Sequence, residues 1–148
     1  MPDKALVYQH CLSAIEVRYQ AILTAMAEVQ QASEEDSKSS MGDKYETGRA
    51  MAHLELEKLA TQRQELEKQR QWLQQMVLTP HSQVRAGSLV HTSVGHFFVS
   101  ISSGVLEVAG NRIQPLSAQS PLGAKMIGLQ KGDQFPWKGE TVTILDVR

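Results

Sequence analysis

The chain has a single cysteine, Cys11, so no disulfide can form within it, and its helical surroundings favour a buried or half-buried thiol over a nucleophile. Long hydrophobic runs are also missing. No segment approaches the roughly 18 apolar residues of a membrane span, and "MPDKALVYQH" has no apolar signal region. No membrane partner is expected, and a cytoplasmic, reducing location fits both absences. Net charge is small, −1 over 148 residues, which argues against wrapping nucleic acid by phosphate neutralisation and against sequence-specific DNA binding. The five histidines, His10, His53, His81, His91 and His96, show no i, i+4 pairing of the kind a helical zinc site uses. They read as surface or loop residues.

The residues present, 41% apolar and 21% charged, are those of a soluble globular protein. Charge is unevenly spread. Residues 1–78 carry 9 basic against 12 acidic side chains, and residues 79–148 carry 6 against 4. Glu34, Glu35, Asp36, Asp43 and Glu46 fall within thirteen residues that contain only Lys38 and Lys44 as bases.

From Tyr8, the residues Leu12, Ile15, Tyr19, Ile22, Met26 and Val29 recur at alternating spacings of four and three, the seam of a coiled coil. A second seam runs through Tyr45, Ala52, Leu56, Leu59, Leu66, Leu73 and Val77, with Arg63 and Arg70 at two seam positions. No proline interrupts Lys44 to Leu78, so the second helix is expected to run unbroken to there. Two such helices bury their stripes by folding back to back as an antiparallel hairpin with its turn near residues 34–42. At ~1.5 Å per residue, about 30 residues per helix make a rod of roughly 45 Å. A dimerising coiled coil uses the same periodicity and stays open as the alternative.

After "LTPHSQ" the period shortens, which places a boundary near Thr79-Pro80 and divides the chain into residues 1–78 and 79–148. "SLVHT", "HFFVSI", "VLEV" and "ETVTILDV" read as strands. "SPLGAKMIG" reads as a short helix with Ser120 as N-cap and Pro121 at its first position. Phe97, Phe98, Phe135 and Trp137 are core candidates. The expected class is α+β, a two-helix coiled-coil hairpin followed by a small β-rich domain.

The ordered set Ser120, Pro121, Leu122 and Gly123, then Ile127 and Gly128, then Gly132 and Asp133 resembles the "SPLG…IG…GD" signature of the Gre transcript cleavage factors of bacterial RNA polymerase. At the turn, Gly42, Asp43 and Glu46 match the G-D-x-x-E of that family's "GDLSEN" tip. Thr47 replaces its Asn, and Gly48, Arg49 and Ala50 stand where the family has Ala, an acid and an aromatic. The resemblance implies an FKBP-like C-terminal domain and a finger that enters the polymerase secondary channel while the C-terminal domain docks on its rim. Too few aromatics are present to line a prolyl-isomerase pocket.

On this resemblance Asp43 and Glu46 are catalytic and metal-binding residues only in the complex. They would share a Mg²⁺ with the polymerase, since hard cations take carboxylate oxygens and Mg²⁺ keeps several waters. No cofactor is expected in isolation, and no free-standing enzyme activity. Ser120, Pro121, Leu122, Gly123, Lys125 and Lys131 are candidates for the partner surface, RNA polymerase is the partner, nascent RNA is met indirectly, and a monomer is favoured. The same acids also have the form of a capping box, Asp43 at N-cap and Glu46 three residues on, which needs no metal. A non-cleaving channel regulator and a structural coiled-coil adaptor remain the other functional readings.

Overall fold

Two helices account for nearly half of the chain, α1 (Lys4–Lys38) and α2 (Gly42–Gln74). α1 contains neither glycine nor proline, and α2 contains only glycines at its start, Gly42 and Gly48, as strong helix formers require. The computed structural model describes the backbone of residues 1–38 and 42–148, and the side chains of residues 1–35 and 46–148. The chain divides into two compact units, a helical unit of Ala14–Gln71 and a sheet unit of Met1–Ser13 with Trp72–Arg148. Among the described residues no helix is long and apolar enough to cross a membrane.

In the helical unit α1 and α2 run antiparallel. At one end the Arg70 guanidinium lies 3.2 Å from Glu16 and 4.8 Å above the Tyr19 ring. At the other end Ser33 shares a groove with Glu46, Ala50 and His53. The predicted seams meet between the helices: Ile15, Leu59 and Leu66 are buried, while Tyr19, Ile22, Met26, Val29, Ala52 and Leu56 are half-buried. Arg70 thus fills its seam position by pairing with an acid of the facing helix. Its ion pair is partly exposed and adds little stability by itself, about 0–1 kcal/mol.

α2 stops at Gln74, four residues before the end that the absence of proline predicts. The Leu73 carbonyl, which a continuing helix would offer to the Val77 amide, accepts instead from the Tyr8 hydroxyl at 2.6 Å and the Met76 amide at 3.1 Å. Val77 is left 62% exposed. Nearby, the Lys4 ammonium donates to the Thr79 carbonyl at 2.9 Å. These bonds tie the start of α1 to the segment that leaves α2, within the sheet unit.

The sheet has six strands, β1 (Leu89–Thr92), β2 (Gly95–Val99), β3 (Leu106–Val108), β4 (Asn111–Leu116), β5 (Gln134–Trp137) and β6 (Glu140–Val147), in the order β3-β4-β2-β1-β6-β5. Only the β2–β4 pairing is parallel. Helix α3 (Pro121–Met126) follows β4. The hairpins β3–β4 and β5–β6 turn through Ala109-Gly110 and Lys138-Gly139, where all four residues have positive φ. That is the primed two-residue turn whose twist matches paired strands.

β4 and β5 are not visible in the sequence pattern. Both contain a proline, Pro115 and Pro136, which demotes a run as a strand. Pro136 sits on the edge strand β5, where its missing N–H is tolerated, but Pro115 sits inside the sheet opposite Phe98.

One face of the sheet carries a core of Val90, Phe97, Val99, Val142 and Ile144, with Met126 of α3 and Phe135 of β5; Leu122 and Trp137 pack against it. Alternation turns Leu89 and Phe98 to the opposite face. Both are fully buried. Ser100 lies on that face, and its hydroxyl is 3.8 Å from the Cys11 sulfur, so the first turns of α1, with buried Val7 and Cys11, cover it. Cys11 is the buried thiol its sequence context suggests, and burial pushes its pKa up, away from reactivity.

His81 lies in a loop but is not at the surface, being only 7% exposed. Its Nδ1 lies 2.7 Å from the Ser88 hydroxyl, which in turn accepts from the Arg85 amide. Burial, then the charges of Lys4 and Arg85, lower its pKa to about 4. The unfolded chain takes up this proton near pH 6.5, so between pH 6.5 and 4 it binds more protons than the folded chain. Stability is therefore expected to fall as the pH drops through that window. Urea midpoints at pH 7 and pH 5 measure this, and His81→Asn should flatten the slope; an equally steep slope in the variant would count against His81 as its source.

Candidate functional site

The helical backbone from Gly42 puts Asp43 and Glu46 three residues apart in α2, one turn from each other. The Asp43 side chain, and with it the predicted capping bond, lies outside the described residues. Glu46 is exposed and has no ion pair or hydrogen bond to another described residue. Within the helical unit, Ala14 and Gln71 lie at one end of the helix pair and Glu46 at the other, about 40 Å of helix away at ~1.5 Å per residue.

Glu46 lines an open groove with Ser33, Arg49, Ala50, His53 and Leu56. Arg49 places a cation one turn beyond the carboxylate. His53 is turned to Glu57, with Nε2 3.1 Å from its carboxylate, and is committed away from Glu46. Among the described residues no group of three His, Cys, Asp or Glu could hold a metal ion.

The second set of candidates surrounds α3. Ser120 is its N-cap, in extended conformation, and the hydroxyl accepts from the Gly123 amide at 3.1 Å while donating to the Ser117 carbonyl at 2.6 Å. Pro121 follows at the first helical position, as its fixed φ favours. Leu122 packs on the core, Gly123 is buried and Pro121 is exposed. Three members of the quartet thus have a role within the fold. Ser120→Ala is expected to lower stability by about 1 kcal/mol. A urea titration checks this, and a change below ~0.3 kcal/mol would remove the cap from the account.

Lys125 lies in the last turn of α3 and Lys131 in the turn after it, both exposed. The Asp133 carboxylate accepts from the Gln130 amide at 2.8 Å and closes that turn. Together with Pro121 these lysines are the side chains of the set that are free to meet a partner.

Sequence reasoning missed one pairing. His91 and His96 stand opposite each other in β1 and β2 with ring centroids 4.3 Å apart. A spacing of five residues is silent in a helical reading and becomes informative only when "TSVG" between them is seen as a hairpin turn.

No family model matches the chain, and no curated protein matches it. Solved structures similar to the chain at low identity include two of the same factor. The transcription factor Gfh1 is 16% identical, with a TM-score of 0.36, over 87% of this chain and 92% of that one. GreA factor homolog 1 (Gfh1) of Thermus thermophilus is 17% identical, with a TM-score of 0.33, over 88% of this chain and 94% of that one.

Proposed function

We propose that the chain is a transcription elongation factor of bacterial RNA polymerase. Its helix pair enters the secondary channel, and Asp43 and Glu46 promote cleavage of backtracked RNA by adding carboxylates to a catalytic Mg²⁺ held chiefly by the polymerase. The observation that carries this reading is the exposed, uncommitted Glu46 one turn after Asp43, at the end of the helix pair remote from Ala14 and Gln71. The ordered residues Ser120 to Asp133 and the G-D-x-x-E order at the start of α2 supply the reason to name a polymerase. Bound Mg²⁺ supplies Lewis acidity and a more acidic water. The chain's own part is to hold two oxygen donors at one-turn spacing, and Pro121, Lys125 and Lys131 offer the face for docking.

Arg49 favours a second reading. A guanidinium in the same groove as Glu46 competes for the carboxylates, and a factor so built occupies the channel without cutting RNA. Incubating a stalled, backtracked complex with the chain separates the two. Shortened RNA supports cleavage, and intact RNA with polymerase retained on the tagged chain supports occupancy alone. Failure to retain polymerase, with a stable dimer by light scattering, would overturn both in favour of a structural adaptor.

A further inference from the structure

The β1–β2 hairpin turns through Ser93-Val94, and its register sets His91 directly against His96. Opposed residues of an antiparallel pair project from the same face of a sheet, close enough to touch. The two imidazoles meet edge to face, with centroids 4.3 Å apart and planes at 71°. Both rings are half-buried, and neither makes a hydrogen bond to another described residue. Their ring nitrogens are therefore uncommitted, unlike those of His10, His53 and His81.

We propose that His91 and His96 form a two-imidazole site for a divalent transition-metal ion, Zn²⁺ or Ni²⁺, separate from the acidic residues of α2. Imidazole suits these ions, and neutral imidazole is the form that binds them. Two metal–nitrogen bonds of about 2.0–2.1 Å bring the donor nitrogens roughly 3 Å apart. Rings with centroids 4.3 Å apart are of the right spacing for a nitrogen of each to face one shared ion.

The surroundings set the kind of site. Asp146 of β6 is the cross-strand neighbour of His91, but its carboxylate is engaged by the Arg148 guanidinium at 3.3 Å and the Val147 amide at 3.0 Å. Since no set of three such ligands exists among the described residues, water fills the remaining coordination positions. The ion is then exchangeable rather than locked in a closed structural site. The buried Cys11 offers no competing thiolate. An ion joining β1 to β2 binds the folded chain alone and stabilises it by mass action.

Isothermal titration of the full chain with Zn²⁺, and separately with Ni²⁺, tests the site. One ion per chain is expected, with affinity at least tenfold weaker in His91→Gln and in His96→Gln and unchanged in His53→Gln. Zn²⁺ should raise the melting temperature of the parent chain and leave both β-hairpin variants unmoved. Glutamine keeps size and polarity, and circular dichroism verifies the fold. Should a variant unfold, the parent chain still decides, because the His91 and His96 ring resonances should shift on Zn²⁺ addition before those of the other three histidines. No binding to the parent chain, affinity in either hairpin variant equal to that of the parent, or first shifts at other histidines would each overturn the proposal.

Discussion

A backtracked polymerase complex supplied with the Asp43→Asn, Glu46→Gln chain is expected to cleave its RNA about 100-fold more slowly than with the parent chain, with polymerase binding unchanged. Metal-assisted charge stabilisation is worth several kcal/mol, and each ~1.4 kcal/mol is tenfold in rate. The substitutions are chosen to split the two roles of these residues. Asn caps a helix about as well as Asp, and Gln serves in a capping box as Glu does. Both amides keep the local hydrogen bonds and lose the charge a hard cation needs. If the neutralised chain cuts RNA as fast as the parent, the carboxylates are caps and nothing more. If neither chain cuts while both bind polymerase, the occupancy reading gains.

Gly123→Ala is expected to lower stability by about 3 kcal/mol, through overpacking against backbone together with a weakened helix cap. A Cβ at Gly123 would fall on the Ser117 carbonyl oxygen and 2.9 Å from the Ser120 hydroxyl oxygen. That carbonyl accepts from both the Ser120 hydroxyl and the Ser120 amide, so moving it loosens the cap of α3. Displacing α3 also disturbs Met126, which is fully buried in the core. A urea midpoint lower by about 1.5 M, at a slope of ~2 kcal/mol/M, is the expected reading. A loss under ~0.5 kcal/mol would show that the Ser117 carbonyl can swing away freely. Glycine here answers close approach rather than a left-handed backbone.

The helical unit was the more legible part of the sequence because its information is local. Tyr19, Ile22, Met26 and Val29 declare their face by spacing alone, and the half-burial of each follows from having one facing helix. β6 was equally plain, since "ETVTILDV" is a strand over Glu140–Val147, as its alternation suggests. β4 was hidden because Pro115 occupies an interior strand, a placement decided by tertiary pairing with β2. The burial of His81, a loop residue, went unannounced for a related reason. Nothing within a few residues announces that Ser88 and the Lys4 segment will enclose it. At the candidate site the acids were readable as a pair, whereas Arg49 as a neighbour in the same groove, and the opposition of His91 and His96, needed the folded chain.

The position of β6 has a bearing on how the protein is made. The last strand of the sheet in chain order is an interior one, between β1 and β5, and its partner β1 begins at Leu89. At ~5–20 residues per second, about 3–12 s separate the appearance of β1 from that of its second neighbour. Throughout that interval β1 presents an unpaired edge, and the buried face of Val7 and Cys11, made first, waits for the sheet it will cover. Emergence of β6, rather than of any earlier segment, is the event that lets the sheet unit close.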